Sequence, residues 1–369
     1  MATSSSSCID TSERCDACHA PATPGAVLQQ CSGCRAAHYC DPVCQRLHWK
    51  SHKEACKGTA QARFAANLAA AERGDEKAQF DVGSAYDHGH GVAKDPKLAF
   101  LWYLRSAEAG SHEAQYNLAT CFLYGTGVPA NAAEAIRWFR LAAEGGLDGA
   151  QHALGLCYER GTGVEQCFVT AIRWYLRAAQ QGCPGAILKL ATLVEEGKGT
   201  PAPDPAKAAK LYRELVSRED AVIRARAEYH LGFLLSEGRG VPCDLAEAAK
   251  VWRHAAEAGH GPSMNQLAHC LLTSKGVEED AEEAASWLTR SARSRSSPEA
   301  AAEAVFLLSR MHEEGVGVLK CAETAAKMLQ LAADAGHPEA IEMLGDASAT
   351  AAVAPCSDSG SVASRRHDS

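Results

Sequence analysis

From about residue 74 onward, apolar and small residues return at fixed distances from a recurring Gly-x-Gly. The pairs are Gly89/Gly91, Gly125/Gly127, Gly161/Gly163, Gly197/Gly199, Gly238/Gly240 and Gly315/Gly317, with Ser274/Gly276 in the sixth slot. Counting back from the second glycine, the ninth position carries Val82, Leu118, Leu154, Leu190, Leu231, Leu267 and Leu308. The fifth carries Tyr86, Phe122, Tyr158, Val194, Leu235, Leu271 and His312. A spacing of four residues is one face of a helix. Small residues hold two more columns: Ala78, Ala114, Ala150, Ala186, Ala227, Ser263 and Ala304 at thirteen, and Gly83, Ala119, Gly155, Ala191, Gly232, Ala268 and Ser309 at eight. They predict a first helix that another helix approaches closely.

After each Gly-x-Gly a second helix is expected. It carries a bulky apolar pair: Trp102-Tyr103, Trp138-Phe139, Trp174-Tyr175, Leu211-Tyr212, Val251-Trp252, Trp287-Leu288 and Met328-Leu329. Gly110, Gly146, Gly182, Gly259 and Gly336 then stand where a left-handed residue ends a helix. Neither helix can hide its apolar face alone, so neighbours must stack. Steps of 36, 36, 36, 41, 36 and 41 residues between beats mean a solenoid.

The run Ala-x3-Leu-Gly-x2-Tyr-x2-Gly-x-Gly-Val, best developed over Ala150 to Val164, resembles the Sel-one-like repeat, a relative of the tetratricopeptide repeat. Seven units match. The resemblance implies a mostly α protein, an α/α right-handed solenoid of helix-turn-helix repeats, over 75–346 including a capping helix. Residues 57–74 read as a linking helix or half-repeat, while 1–14 and the Ala/Ser-rich 347–369 are expected to be disordered.

Composition agrees with this fold. Only 6% of residues are aromatic, which disfavours a sheet-rich core. A net charge of -8 opposes non-specific phosphate binding and makes nucleic acid an unlikely partner. No apolar run is long enough to span a membrane, and Met1 to Ile9 lacks the apolar stretch of a signal peptide. A cytoplasmic or nuclear location is therefore expected, where thiols stay reduced.

Sixteen cysteines are present and eight precede residue 57. Seven of these, with one histidine, form four clips: Cys15-x2-Cys18, Cys31-x2-Cys34, Cys40-x3-Cys44 and His52-x3-Cys56. Each clip lets two soft donors converge, and four clips saturate two tetrahedral Zn²⁺ ions. With no coordination position left for water, both sites are structural. Four basic residues, three acidic residues, seven thiolates and two zinc ions give this segment a formal charge of about -2.

The order of the clips and the string Tyr39-Cys40-x3-Cys44-Gln45-x2-His48-Trp49-x2-His52-Lys53-x2-Cys56 resemble the MYND-type zinc finger, over 15–56. The resemblance implies a cross-brace: Cys15, Cys18, Cys40 and Cys44 on one ion, and Cys31, Cys34, His52 and Cys56 on the other. It also implies docking of short proline-containing peptides, with Ser32, Gln45 and Trp49 at the groove positions.

Other features read as structural. Gly-x-Gly follows no strand, lacks a third glycine and recurs, so it is a turn and not a phosphate loop. Cys121, Cys157 and Cys270 share a column with Ala85, Leu193, Leu234 and Met311 and read as core. The Trp slots alternate with Leu, Val and Met and read as interior surface, and Glu278 to Glu283 as a solvated turn and helix start. The expected function is that of a non-catalytic scaffold, with the finger on one proline-containing peptide and the solenoid on a second protein. The competing expectation is a substrate adaptor within a ubiquitin-ligase or chromatin-modifying complex.

Overall fold

The computed structural model describes residues 58–295 and 297–344, and the backbone of Gln29–Gln30 and His38–Tyr39. A helix over 58–72 (α1) is followed by seven helix pairs. They are α2 (Glu76–His88) with α3 (Pro96–Glu108), α4 (His112–Tyr124) with α5 (Ala132–Glu144), and α6 (Asp148–Arg160) with α7 (Phe168–Gln180). Next come α8 (Pro184–Glu196) with α9 (Pro205–Val216), α10 (Ala221–Glu237) with α11 (Leu245–Glu257), α12 (Gly261–Thr273) with α13 (Ala281–Arg293), and α14 (Pro298–Glu314) with α15 (Ala322–Asp334). A last helix, α16, covers 338–344. The fold is the helical solenoid that the repeat columns predict. We call the first helix of each pair A and the second B.

The chain divides into two compact units, one ending at Ala186 and one beginning at Ile187, inside α8 of the fourth repeat. In the first unit, α2 to α7 pack each against the next in chain order, and so do α9 to α15 in the second.

Local signals place most helix boundaries. Asp95, Asn131, Asp204, Asp244 and Asp280 cap B helices by accepting from backbone N–H groups of the first turn. Asp75, Ser111, Asp220 and Ser297 do the same for A helices. The first glycine of each Gly-x-Gly closes its A helix in the left-handed region, and Ser274 fills that role at φ 53°. This slot therefore demands only a left-handed backbone, which serine adopts at a cost of about 1–2 kcal/mol.

The second glycine is there for a different reason. A methyl group on Gly91, Gly127, Gly163, Gly276 or Gly317 would overlap a backbone carbonyl in the first turn of α1 or of the preceding B helix: Ala60, Pro96, Ala132, Leu245 or Ala281 respectively. Gly240 meets Pro205 and Ala206 in the same way. Main chain touches main chain at the joint between repeats, which excludes every side chain.

Size matching fixes another column. A methyl on Gly83 or Gly155 would strike the ring of Tyr103 or Tyr175, and one on Gly232 the indole of Trp252. Where the B helix presents Phe139 or Leu288 the column carries Ala119 or Ala268, and in the fourth repeat, whose pair holds Tyr212, it carries Ala191. Within the aromatic pairs of the first unit the second member lies deepest: Tyr103, Phe139 and Tyr175 are at most 2% exposed. Trp138 and Trp174 are only half-buried, so the interior reading of the Trp slots holds in part. Their outer faces receive guanidinium groups, with Arg177 4.7 Å from the Trp174 centroid and Arg105 4.6 Å from that of the deeper Trp102. Cys121, Cys157 and Cys270 are buried in the core as expected.

The two steps of 41 residues have a structural outcome. α10 and α14 run 17 residues where the other A helices run 13. Most of each insertion thus becomes one additional helical turn.

Candidate functional site

In the N-terminal segment the described backbone is a two-residue antiparallel ladder, β1 (Gln29–Gln30) with β2 (His38–Tyr39), pairing Gln29 with Tyr39 and Gln30 with His38. The donor candidates Cys15, Cys18, Cys31, Cys34, Cys40, Cys44, His52 and Cys56 lie outside the described residues. So do the peptide-groove candidates Ser32, Gln45 and Trp49. The donor set itself, seven thiols and one imidazole in four short clips, suits zinc and leaves no hard oxygen donor for calcium or magnesium.

Among the described residues no group of three or more His, Cys, Asp or Glu side chains is placed to hold a metal ion. The thiols buried in the repeat cores are poor nucleophiles, whereas hydrogen bonding with Thr170 lowers Cys167 and with Thr324 lowers Cys321. Burial pushes Cys121 up to about 11 and also raises Cys157 and Cys270, so these thiols stay protonated.

One recess of the second unit is lined mainly by its A helices. Tyr229 of α10, Asn265, Gln266 and His269 of α12, and Glu299, Ala300, Glu303 and Leu307 of α14 line a cavity of about 450 Å³. A second recess of about 320 Å³ shares Gln266 and His269 and continues to Phe233, Trp252 and Lys275. The added turn at the start of α14 builds part of the wall, because Glu299 and Ala300 belong to it. Asn265 Nδ2 donates to Ala300 O at 2.8 Å and ties α12 to that turn. Its Oδ1 is buried without a partner.

An aromatic cluster supports the groove from behind. The Tyr229 ring meets Phe233 and His260 edge-on at 5.1 and 5.2 Å between centroids, and His230 stacks on Tyr212 at 5.3 Å. Burial, with Arg226 and His230 nearby, holds His260 down to about 4, and burial with Lys275 lowers His269. These imidazoles are neutral at physiological pH. Glu299, by contrast, is held low by its own backbone N–H and the Ser297 hydroxyl, and Glu303 Oε2 stands 2.7 Å from His337 Nε2. Of the acidic run, Glu278 and Glu279 are solvated as expected, while Glu283 is drawn inward by Arg253 and by the Trp287 indole N–H at 2.9 Å.

The sequence reading missed this groove. Its signal was present in columns that the helical face leaves free, where Tyr229 and Asn265 stand eleven before the second glycine, Gln266 and Leu307 ten, and His269 seven. Residue type in those columns changes from repeat to repeat, while the core columns hold.

Comparison with known proteins places both parts. A family model for the Sel1 repeat matches 76–111, 112–147, 149–183, 184–218, 225–260, 261–296 and 302–337, and one for the MYND finger matches 15–56. No curated protein matches the chain. Among solved structures it is similar to c5321, a protective antigen present in uropathogenic Escherichia coli strains displaying an SLR fold. The identity is 28% and the TM-score 0.66, over 75% of this chain and 57% of that one. It is also similar to a Sel1 repeat protein from Oxalobacter formigenes, with 34% identity and a TM-score of 0.54 over 59% of this chain and 87% of that one. The chain thus spans somewhat over half the length of the first of these relatives. No helix among the described residues is long and apolar enough to cross a membrane.

Proposed function

The chain belongs to the Sel1 repeat family, and from that premise we propose that it is a non-catalytic scaffold joining two partners. Sel1 repeats and MYND fingers both mediate protein–protein interaction, and the finger implies zinc binding. The finer reading is that Cys15, Cys18, Cys40 and Cys44 would hold one zinc ion and Cys31, Cys34, His52 and Cys56 a second. Ser32, Gln45 and Trp49 would receive an extended proline-containing peptide, while the repeats hold another protein. The zinc supplies folding energy that a 42-residue finger lacks in its own core, on the order of 10 kcal/mol per site.

The observation that carries the scaffold reading is the coupling, in one chain, of a finger with a closed donor set to a repeat stack whose variable columns line a groove.

The test is a titration of the whole zinc-loaded chain with a Pro-x-Leu-x-Pro peptide. A dissociation constant of about micromolar or weaker is expected, since proline limits the freedom lost on binding. Trp49→Ala should weaken the complex while metal analysis still finds two ions per chain. Unchanged binding by that variant, displacement of the peptide by duplex DNA, or a content of one zinc ion would overturn the assignment.

A further inference from the structure

The groove between α10, α12 and α14 has a defined chemical character. Among the described residues, Glu299 and Glu303 are its only formally charged lining residues, and no Lys or Arg lines it. Arg293 and Arg295, in the segment leading to α14, are exposed and lie outside the lining. Asn265 is 7% exposed, commits its amide N–H to Ala300 and keeps an acceptor oxygen unmatched. An unmatched buried acceptor is unfavourable, and a donor arriving in the groove would supply what it lacks. Tyr229 and Leu307 add an aromatic and an aliphatic surface of the kind that covers the methylene stem of a long cationic side chain. Neutral His269 adds no opposing charge.

We propose that this groove docks an extended basic segment of a partner protein, placing a Lys or Arg side chain against Glu299 and Glu303 with its backbone along α12. The proposal rests on the reading of the repeats as the partner-binding half and supplies the partner's chemistry. Three successive A helices form the wall, so the site suits a chain segment running across repeats better than a single small cation. Charge complementarity selects the basic sequence, and the acceptor set rejects an acidic one.

The experiment uses the full zinc-loaded chain and two labelled dodecapeptides, one repeating Gly-Ser-Arg-Lys and the other Gly-Ser-Glu-Glu, read by fluorescence anisotropy. The basic peptide should bind and the acidic one should not, and added salt should weaken the complex. Glu299→Lys should reduce affinity about tenfold. Glu299 is exposed and bonded only to Ser297 and its own backbone, so the variant should keep the parent's helical circular dichroism. The double variant Glu299→Gln/Glu303→Gln should lose at least as much.

Equal binding by Glu299→Lys and the parent would place the basic peptide elsewhere on an acidic protein and overturn the proposal. If removing residues 360–369, which include Arg365 and Arg366, raised affinity several-fold, the occupant would be the chain's own end and the external partner would be overturned. The Pro-x-Leu-x-Pro peptide is titrated in parallel. Its binding without that of the basic peptide sinks this inference and leaves the scaffold standing, whereas failure of both sinks the two together.

Discussion

The first three repeats and the last three solve the same packing problem with different residues in one column. In the first unit Gln79, Gln115 and Gln151 are buried and donate from Nε2 to the carbonyls of Ala71, Ala107 and Ala143, at 3.3, 3.2 and 3.1 Å. Each is a clasp from an A helix to the end of the B helix before it. In the second unit the column reads Ile187, Glu228, Met264 and Val305. An ionised Glu228 cannot donate, and the apolar residues have nothing to give. Two A helices there are also a turn longer, and a groove opens between them. Where the clasp repeats, spacing is uniform and polar side chains serve the fold. Where it lapses, polar side chains such as Asn265 and Gln266 face a recess instead.

The comparison breaks first at the joint that both units share. Gly127→Val and Gly276→Val should each cost about 4 kcal/mol or more in denaturant unfolding, because backbone must separate from backbone and a β-branched residue must hold a positive φ. Gly125→Ser, which copies the situation of Ser274, should cost only about 1 kcal/mol. A second unit that tolerated Gly276→Val would mean that its repeats are joined differently. Next in size is the aromatic pair: Phe139→Ala should cost about 3–5 kcal/mol and Trp138→Ala roughly half as much, following burial and not ring size. The reverse order would overturn the depth assignment.

Gln115→Ala should cost about 1 kcal/mol by removing the clasp, the Ala107 carbonyl keeping the Gly110 N–H. The same truncation at Met264 should show no hydrogen-bond component in a double-mutant cycle. The smallest effect sharpens the contrast by reversing it. Burial raises the Glu228 carboxyl above the usual carboxylate range, against the pull of His254 and Arg224. Its folded form therefore favours the proton, and ionisation subtracts stability above the folded pKa. That loss disappears as pH falls toward the unfolded value. Glu228→Gln should be more stable than the parent by about 1 kcal/mol at pH 8, with the advantage fading to nothing near pH 4. An advantage that grew on acidification would show that the pair with His254 dominates.

Much of this was legible because a repeat supplies its own internal controls. Seven copies of one column show whether Leu or Gly is required there, and the structure puts Leu118, Leu154 and Leu267 at 0% exposure. The groove was not legible because it is a property of three helices from three repeats. Periodicity assigns a face to each helix but not the gap between neighbours. The steps of 41 were visible, yet counting cannot tell a longer loop from a longer helix, and it was the helix that moved Glu299 into a wall. In the Trp-aromatic pairs adjacent positions differ by 100° of rotation, enough to bury Tyr175 fully and leave Trp174 half open. The finger is the opposite case, where spacing offers donor candidates and resemblance a groove, both of them proposals on residues outside the described ones.

The contact of the second glycine with the preceding B helix has a consequence for how such chains change length. Gly127 rests on the carbonyl of Pro96, and Gly163 on that of Ala132, each the first residue of its B helix. If 112–147 were excised as a block, Gly163 would arrive at Pro96 and find the same main-chain surface, while Gln151 would arrive at the Ala107 carbonyl that Gln115 had used. At the glycine the seam reads main chain, and at the clasp it reads one glutamine that both copies carry, so a gene can gain or lose a copy here without rewriting its neighbours.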